Sequence, residues 1–335
     1  MKLKEFQSFM EKSSINLALL SNSAEKVNPN FVYFTQISHI NSILLINKNP
    51  VLFVSPIELS IAEKSKIKNI QKIDNKMFNK IKKLRPKTIG IDKDYTNLNS
   101  LKFLKAKFKK ARFKDISEEI KKLRSIKTET EVDLIKKACF YADKLIKESI
   151  SYAKKAKTEI NLKKFIEKRI LDLNLEPSFT PIVASNLNSK NPHHLSANSK
   201  LKGFTVIDLG VKYKNYCSDI TRTIFIGRPN KKQVQTYNKV LETQEQCISQ
   251  NLDPKNLHNL ALKNLGKFFT HSLGHGIGLE VHENPRISSL SNDKFKDNMI
   301  FTLEPGYYNK FGIRIEDVFI YKNNKKIPMT KSPKD

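Results

Sequence analysis

A carboxylate inside an apolar strand dominates the second half of this sequence. Residues 204–210 read Phe-Thr-Val-Ile-Asp-Leu-Gly, so Asp208 lies among strand-forming apolar residues. Burying an unpaired carboxylate costs on the order of several kcal/mol, and a compensating charge is therefore expected nearby. Asp219 follows eleven residues later, after the turn-like run Lys-Tyr-Lys-Asn, and a hairpin would bring both aspartates to one end of a sheet, where a cation could accept them. The alternative is local: Asp219 pairs with Arg222, and Asp208 caps a turn.

A second feature is a histidine cluster, because three of the seven histidines (His271, His275 and His282) fall within twelve residues. Glycines flank His275 and let the backbone come close to a bound group, and neutral imidazole is the commonest metal ligand. The glycine pattern lacks the preceding strand and following helix of a dinucleotide-binding site. The pattern therefore favours His275 as a metal ligand and leaves His271 open between a supporting role and a core role.

Two further glutamates occur in or at the end of apolar strands, in Phe-Thr-Leu-Glu304-Pro-Gly and in Gly-Ile-Arg314-Ile-Glu316-Asp. Strand alternation puts Arg314 and Glu316 on one face. Four carboxylates and one imidazole suit two divalent ions roughly 3.5–4 Å apart. The donor set favours Mn, Co, Zn or Fe(II) and does not select among them. The predicted metal ligands are Asp208, Asp219, His275, Glu304 and Glu316.

The composition limits the other possibilities. With 335 residues, 39% hydrophobic and 28% charged, the chain is typical of a soluble globular protein. It shows no signal-peptide core and no apolar stretch of the roughly 20 residues that a membrane helix needs, so we expect neither secretion nor a membrane partner. Three separated cysteines (Cys139, Cys217 and Cys247) predict no disulfide framework, which favours the cytoplasm.

The formal charge of +28 is the one property that points toward nucleic acid. The lysines recur in every segment and alternate with apolar residues at helical spacing. We therefore assign most of them to solvated faces and do not expect nucleic acid as a partner.

The chain divides into an α/β domain at residues 1–122 and a second domain at residues 123–335. The second domain begins with a helical pattern that breaks near residues 127–130, where Thr128 or Thr130 could cap the next helix. In the first domain we predict a helix, several strands and a hairpin whose turn is Asn47-Lys-Asn-Pro. These elements cover residues 4–11 (helix), 16–20, 31–35 and 88–92 (strands), and 42–46 with 51–54 (hairpin).

Taken in chain order, these segments resemble the pita-bread metallopeptidases, and within them the aminopeptidase P and prolidase branch. The resemblance rests on Val206-Ile-Asp-Leu-Gly, Ser218-Asp-Ile-Thr-Arg-Thr, His271-Ser-Leu-Gly-His-Gly-Ile-Gly, Val281-His-Glu, Thr302-Leu-Glu-Pro-Gly and Ile313-Arg-Ile-Glu-Asp. It implies an α/β (α+β) protein: a creatinase-type N-terminal domain, then a catalytic domain with a curved antiparallel sheet covered by helices. It also implies a homodimer.

The resemblance further implies a role for each residue. Asp208 would bind one metal ion, His275 and Glu304 the other, and Asp219 and Glu316 would bridge the two. Glu304 would carry a proton from the bridging hydroxide to the leaving nitrogen of proline. Other residues would bind substrate: His282 at the scissile carbonyl, Arg314 beside the bridging carboxylates, His271 nearby, and His193 or His194, of which His193 is preferred.

The implied reaction is hydrolysis of the bond between an N-terminal residue and proline, by a water or hydroxide between two metal ions. Manganese is the first expectation for the ions. Aminopeptidase P and prolidase activity are both consistent with these motifs. The alternatives are a methionine aminopeptidase-like enzyme, which would usually lack the N-terminal domain, and a non-catalytic module that binds RNA or protein, which would usually have lost metal ligands.

Overall fold

The computed structural model describes residues 2–334 and divides into two units, residues 1–124 and 125–335, with the two terminal residues undescribed. The predicted boundary at residues 122 and 123 lies two residues before this division. Helices α1 to α6 are Leu3–Lys12, Pro29–Thr35, Leu59–Ala62, Met77–Lys83, Leu98–Lys107 and Ser117–Ser125. Strands β1 to β6 are Leu17–Asn22, Ser42–Ile46, Val51–Val54, Ile70–Lys72, Thr88–Ile91 and Arg112–Asp115.

The first unit is built on a mixed six-stranded sheet in the order β4-β3-β2-β1-β5-β6. The predicted hairpin is confirmed, since β2 and β3 pair antiparallel with Ser42 opposite Val54. On one face, Leu17 and Leu19 pack with Met77 and Ile81 of α4 and with Phe108 just after α5. The α4–α5 layer therefore covers this face of the sheet.

One predicted strand of the first unit is wrong. Residues 31–35 belong to helix α2, which the Asn28 side chain caps by accepting from the backbone N–H groups of Asn30 and Phe31. Pro29 takes the first helical position, where its missing N–H costs nothing. Every residue of α2 is buried, so the segment lacks the polar side that would have revealed a helical period.

Within its described residues, 125–334, the second unit contains the end of α6, four further α-helices and thirteen strands. Helices α7 to α10 are Glu129–Ala153, Glu159–Asp172, Lys231–Ser249 and Pro254–Leu265. Strands β7 to β19 are Glu176–Pro177, Ile182–Ser185, Gly203–Leu209, Val211–Tyr213, Tyr216–Cys217, Ile220–Ile226, Gly274–Gly276, Glu283–Ile287, Ile300–Leu303, Gly306–Tyr308, Gly312–Arg314, Asp317–Lys322 and Lys325–Pro328. The predicted cap of α7 is confirmed at Thr128, whose side chain forms a capping box with Glu131.

Antiparallel sheets carry this unit. Two of them have the strand orders β12-β9-β8 and β14-β13-β15-β18-β19. An isolated β-bridge between Thr221 and Glu316 links the first of these sheets to the segment before β18. One core cluster packs α7 and α8 on β8, β9 and β12, and another packs α9 and α10 on β15 and β18. The two sheets therefore meet where Thr221 faces Glu316. Among residues 2–334, no helix is long and apolar enough to cross a membrane.

Candidate metal centre

The register of β9 against β12 brings the two aspartates together. Asp208 pairs with Thr221 across the sheet, and Asp219 immediately precedes β12. Both aspartates are buried, with exposed fractions of 7% and 4%. The local alternative for Asp219 is wrong, because Arg222 Nη2 instead lies 2.6 Å from Asp317 Oδ1. Arg222 therefore does not neutralise Asp219, which remains available to a cation.

His275 lies at the centre of β13 between two glycines whose role is to admit the neighbouring strands. A Cβ on Gly274 would lie 2.0 Å from the carbonyl oxygen of Thr302, and one on Gly276 would lie 2.0 Å from that of Asn284. Real Cβ atoms do not approach an oxygen so closely. The glycines thus fix the imidazole by allowing close strand packing, whereas the sequence suggested that they admit a bound group.

Replacing Gly276 by alanine is expected to lower the free energy of unfolding by about 3 kcal/mol and any activity of the cluster by about 100-fold. The added methyl group must push β13 away from Asn284, and His275 moves with it. Thermal unfolding and activity assays measure the two effects. Gly266→Ala is the control for activity: its Cβ would meet no atom within 4 Å, and although its φ of +64° and ψ of −149° make alanine strained there, the change does not move His275. Wild-type activity in Gly276→Ala would contradict this account of the glycines.

The two glutamates approach from the other sheet. Glu304 follows β15 directly, and Glu316 forms the bridge to Thr221 just before β18. Glu316 is only 2% exposed, and its Oε2 accepts a hydrogen bond of 2.7 Å from the Thr221 hydroxyl. Because Thr221 also pairs with Asp208, this threonine joins ligands from both sheets.

The predicted ligands form one cluster. His275 Nε2 lies 3.4 Å from Glu304 Oε1 and 3.8 Å from Asp219 Oδ2. One ligand atom from each of Asp219, His275 and Glu316 lies within 4.8 Å of the others, a spacing that could hold a metal ion. Asp208 joins the cluster through Arg314, whose Nη2 lies 2.5 Å from its Oδ2.

Unpartnered buried oxygens test whether the cluster fits metal ions. Four carboxylate oxygens in residues 2–334 are buried without any hydrogen-bond partner; one is Glu58 Oε2 in the first unit, and the other three belong to the cluster: Asp208 Oδ1, Asp219 Oδ1 and Glu316 Oε1. A buried carboxylate oxygen normally has a donor or a cation, since leaving it bare is costly. One unpaired oxygen on each of three clustered carboxylates fits divalent cations, and the mixed oxygen and nitrogen donors suit Mn, Co, Zn or Fe(II).

The pKa shifts within the cluster also fit a site for divalent cations. Burial raises the pKa of Asp219 and of Glu304 well above the usual range, and repulsion from Glu316 adds to both shifts. Burial, followed by repulsion from Asp208, raises the pKa of Glu316 to about 7. Burial also lowers the pKa of His275 to about 3, which keeps this imidazole neutral and able to bind a cation. Without bound cations, the protein environment therefore disfavours ionisation of all these carboxylates together.

Arg314 connects the cluster to two residues that the sequence did not single out. Its Nε donates to the Thr221 hydroxyl over 3.1 Å, and its Nη1 donates to the Tyr308 hydroxyl over 3.3 Å. The Tyr308 hydroxyl also lies 2.9 Å from Nε2 of His271, whose Nδ1 is 3.9 Å from Glu304 Oε2. His271 therefore lies beside the cluster. The adjacent tyrosines of β16 were the only sequence sign of Tyr308, and they do not distinguish it from a core residue.

The remaining predicted histidines differ in their surroundings. The ring centroid of His282 is 4.3 Å from that of His275, so His282 lies at the edge of the cluster. His194 Nε2 contacts the buried Glu159 at 2.8 Å, which holds this imidazole away from the ligands. His193 is exposed. Partial burial is the main cause that lowers the pKa of His282.

Two protein-family sequence models match this chain. The sequence model of Metallopeptidase family M24 matches residues 133–323, and that of the Creatinase/Prolidase N-terminal domain matches residues 2–126. The chain belongs to metallopeptidase family M24. It is therefore a metallopeptidase, and the predicted combination of a creatinase-like domain with a family M24 catalytic domain is confirmed.

Individual M24 relatives match over the whole length. A Xaa-Pro dipeptidase of Pyrococcus horikoshii is 33% identical, with 100% of this chain and 98% of the relative aligned. The solved prolidase structure from the same organism gives a TM-score of 0.91 at 34% identity and covers 100% and 99% of the two chains. An X-Pro aminopeptidase from Thermotoga maritima gives 0.90 at 30% identity and covers 98% and 99%. This chain therefore has the same fold as these solved structures over nearly its whole length.

Proposed function

We propose that this M24 metallopeptidase hydrolyses the peptide bond between an N-terminal residue and proline. The observation that carries the proposal is the convergence of Asp208, Asp219, His275, Glu304 and Glu316 on one buried cluster with unpartnered oxygens. The relatives described as Xaa-Pro dipeptidase and X-Pro aminopeptidase support the proline specificity. They are similarly close to this chain and do not separate dipeptides from longer peptides.

The five ligands would hold two divalent ions, with manganese proposed first and Co, Zn or Fe as alternatives. Asp208 would bind one ion and His275 with Glu304 the other, while Asp219 and Glu316 would bridge them. When bound, such ions lower the pKa of a water between them and polarise the substrate carbonyl. The buried unpaired oxygens on both aspartates and on Glu316 support this assignment.

The protein side chains would then guide one water and one proton. Glu304 would take a proton from the attacking water, whose oxygen bonds to the scissile carbonyl carbon. As the carbon–nitrogen bond breaks, Glu304 would deliver that proton to the proline nitrogen.

Substrate contacts are proposed for the residues at the edge of the cluster. His282, beside His275, would donate to the oxyanion that develops on the scissile carbonyl. His193 is preferred over His194 because Glu159 already binds His194. Arg314 would hold Asp208 and Tyr308 in place, and His271 would contact the substrate next to Glu304.

A side-by-side substrate panel tests the function. The metal-loaded protein is incubated with an Xaa-Pro dipeptide, an Xaa-Pro-Yaa tripeptide and a Met-Ala-Ser peptide, and the released N-terminal residue is measured. Cleavage of the dipeptide alone supports a dipeptidase, and cleavage of the tripeptide supports an aminopeptidase. Cleavage of Met-Ala-Ser alone, or of none of the three, would contradict the proposal.

The location and the assembly are separate proposals. We propose that the protein acts in the cytoplasm, which agrees with three buried, unpaired cysteines at positions 139, 217 and 247. We also propose a homodimer, on the basis of the family resemblance. Light scattering on the purified protein gives the mass in solution, and a mass near that of one 38.6 kDa chain would contradict the dimer.

A further inference from the structure

The positive charge of this protein is concentrated in one segment of the first unit. Residues 64–114 contain 18 lysines and arginines but only three acids, a net charge of +15 out of the +28 of the whole chain. In the rest of that unit, residues 2–63 have five basic and five acidic residues, and residues 115–124 have three of each. The lysines are thus less evenly spread than they appeared along the sequence.

The fold gathers this segment onto one surface. Helices α4 and α5 pack side by side, with the Phe78 ring 5.2 Å from Phe103 and 6.2 Å from Phe108. Their inward residues, among them Met77 and Ile81, lie in the core. The outward residues of the two helices and of the chain just after α5 are mostly basic and exposed, and we call them the basic face: Lys80, Lys82, Lys83, Lys102, Lys105, Lys107, Lys109 and Lys110.

Of the three acids of the segment, one pairs with a residue of the basic face. Asp74 pairs with Lys80 at 3.3 Å, and Asp94 pairs at 2.6 Å with Lys121, outside the segment. Asp92 is only 1% exposed, and its carboxylate accepts from the Asn30 amide and the Ser117 hydroxyl at 2.8 and 2.9 Å. Lys102 and Lys105 are three residues apart on α5, within about one Debye length of roughly 8–10 Å, so their fields add.

We propose that the basic face binds the phosphate backbone of nucleic acid without reading its sequence. Sixteen of the 18 basic residues are lysines, which bind phosphates as point charges, whereas base recognition favours the planar fork of arginine. This binding is independent of the peptidase reaction.

Charge alone would also suit an anionic membrane, but the apolar residues argue against it. A helix that binds a bilayer must expose an apolar side. Met77 and Ile81 of α4 are instead buried, and Leu101 and Leu104 of α5 are partly buried in the same core. Leu84 and Leu98 are 53% and 75% exposed, but they lie at the end of α4 and at the start of α5. Phe103 is 45% exposed, yet the Lys107 ammonium lies 5.3 Å from the centre of its ring. A lipid surface is therefore the less favoured partner, and it becomes one outcome of the test.

The test uses fluorescence anisotropy of the full-length protein with a labelled duplex of mixed sequence, from about 50 to about 200 mM salt. The face variant is Lys102→Glu, Lys105→Glu and Lys109→Glu combined. The matched control is Lys154→Glu, Lys155→Glu and Lys157→Glu, which makes the same change of charge at exposed positions of the second unit. Thermal unfolding and peptidase activity verify that both variants are folded.

We expect the wild-type protein to bind with an affinity that falls steeply with salt. The face variant should bind about 30-fold more weakly with a shallower salt dependence, and the control within about threefold of wild type. No binding by the wild type at the lowest salt, or equal losses in both variants, would overturn the proposal. Tighter binding to vesicles that contain phosphatidylserine than to the duplex would also overturn it. If the face variant fails to fold, the combined change Lys82→Glu, Lys83→Glu and Lys110→Glu, at three other positions of the basic face, replaces it.

Discussion

Replacing Glu304 by glutamine is expected to lower kcat/KM for an Xaa-Pro peptide by about 1,000-fold or more. Glutamine keeps the shape of the side chain but cannot take a proton from water and deliver it to the proline nitrogen, a role that contributes about 100- to 10,000-fold. It also removes a negative oxygen that lies 3.4 Å from His275 Nε2. The loss of the proton carrier and the loss of the negative oxygen both lower kcat/KM.

The measurement is steady-state hydrolysis at saturating metal, with the metal content of each sample determined in parallel. Metal content separates the two effects, because a variant that keeps its ions and still loses activity has lost the proton carrier. Glu242→Gln, an exposed glutamate on α9, is the matched control and should keep full activity. Activity within a few fold of wild type in Glu304→Gln would remove Glu304 from the mechanism.

Metal binding is expected to stabilise the protein more at high pH than at low pH. In the metal-free protein the pKa of Glu316 is raised from an ordinary 4.5 to about 7 by burial and by the charge of Asp208. A group with a raised pKa contributes its full stability below about pH 4.5, and this contribution is lost as the pH rises through about 7. The loss for Glu316 is about 3 kcal/mol, and Asp219 and Glu304 shift in the same direction.

Bound cations compensate that loss, because they stabilise the ionised carboxylates. His275 does not oppose the effect: its pKa is lowered to about 3, mainly by burial, so it is neutral throughout this range. The rise in Tm on adding Mn²⁺ in place of a chelator should be about 5–10 °C greater at pH 8 than at pH 5.5. Scanning calorimetry at both pH values measures it. Glu316→Gln should reduce the difference, and an equal rise at both pH values in the wild type would contradict the electrostatic account.

Local chemistry explains which parts of the fold were predictable. The hairpin of β2 and β3 was predicted because its turn contains Asn and Pro, and the start of α7 because Thr128 and Glu131 form a capping box. Helix α2 was missed because all of its residues are buried, which removes the period of alternating polar and apolar residues. A helix that is apolar on every side cannot be told from a buried strand by periodicity.

The candidate site was likewise predictable from the sequence only in part. Residues that break an apolar pattern, such as Asp208 in its strand, are visible in the sequence because their burial demands a partner. Thr221 and Tyr308 were not, since a hydroxyl is unremarkable until the fold brings it to Arg314. The pairing of Arg222 with Asp317 links residues that are 95 positions apart, so no local pattern could have predicted it over the pairing with Asp219.

Metal stoichiometry, measured together with hydrolysis, is the most direct test of the proposed bimetallic centre. The chelated protein is titrated with Mn²⁺ by equilibrium dialysis while cleavage of an Xaa-Pro peptide is followed. We expect two ions per chain in the wild type and a marked loss of both binding and cleavage in Asp219→Asn, which removes a proposed bridging ligand. Full cleavage in the presence of the chelator, or two ions bound as tightly by Asp219→Asn as by the wild type, would contradict the account.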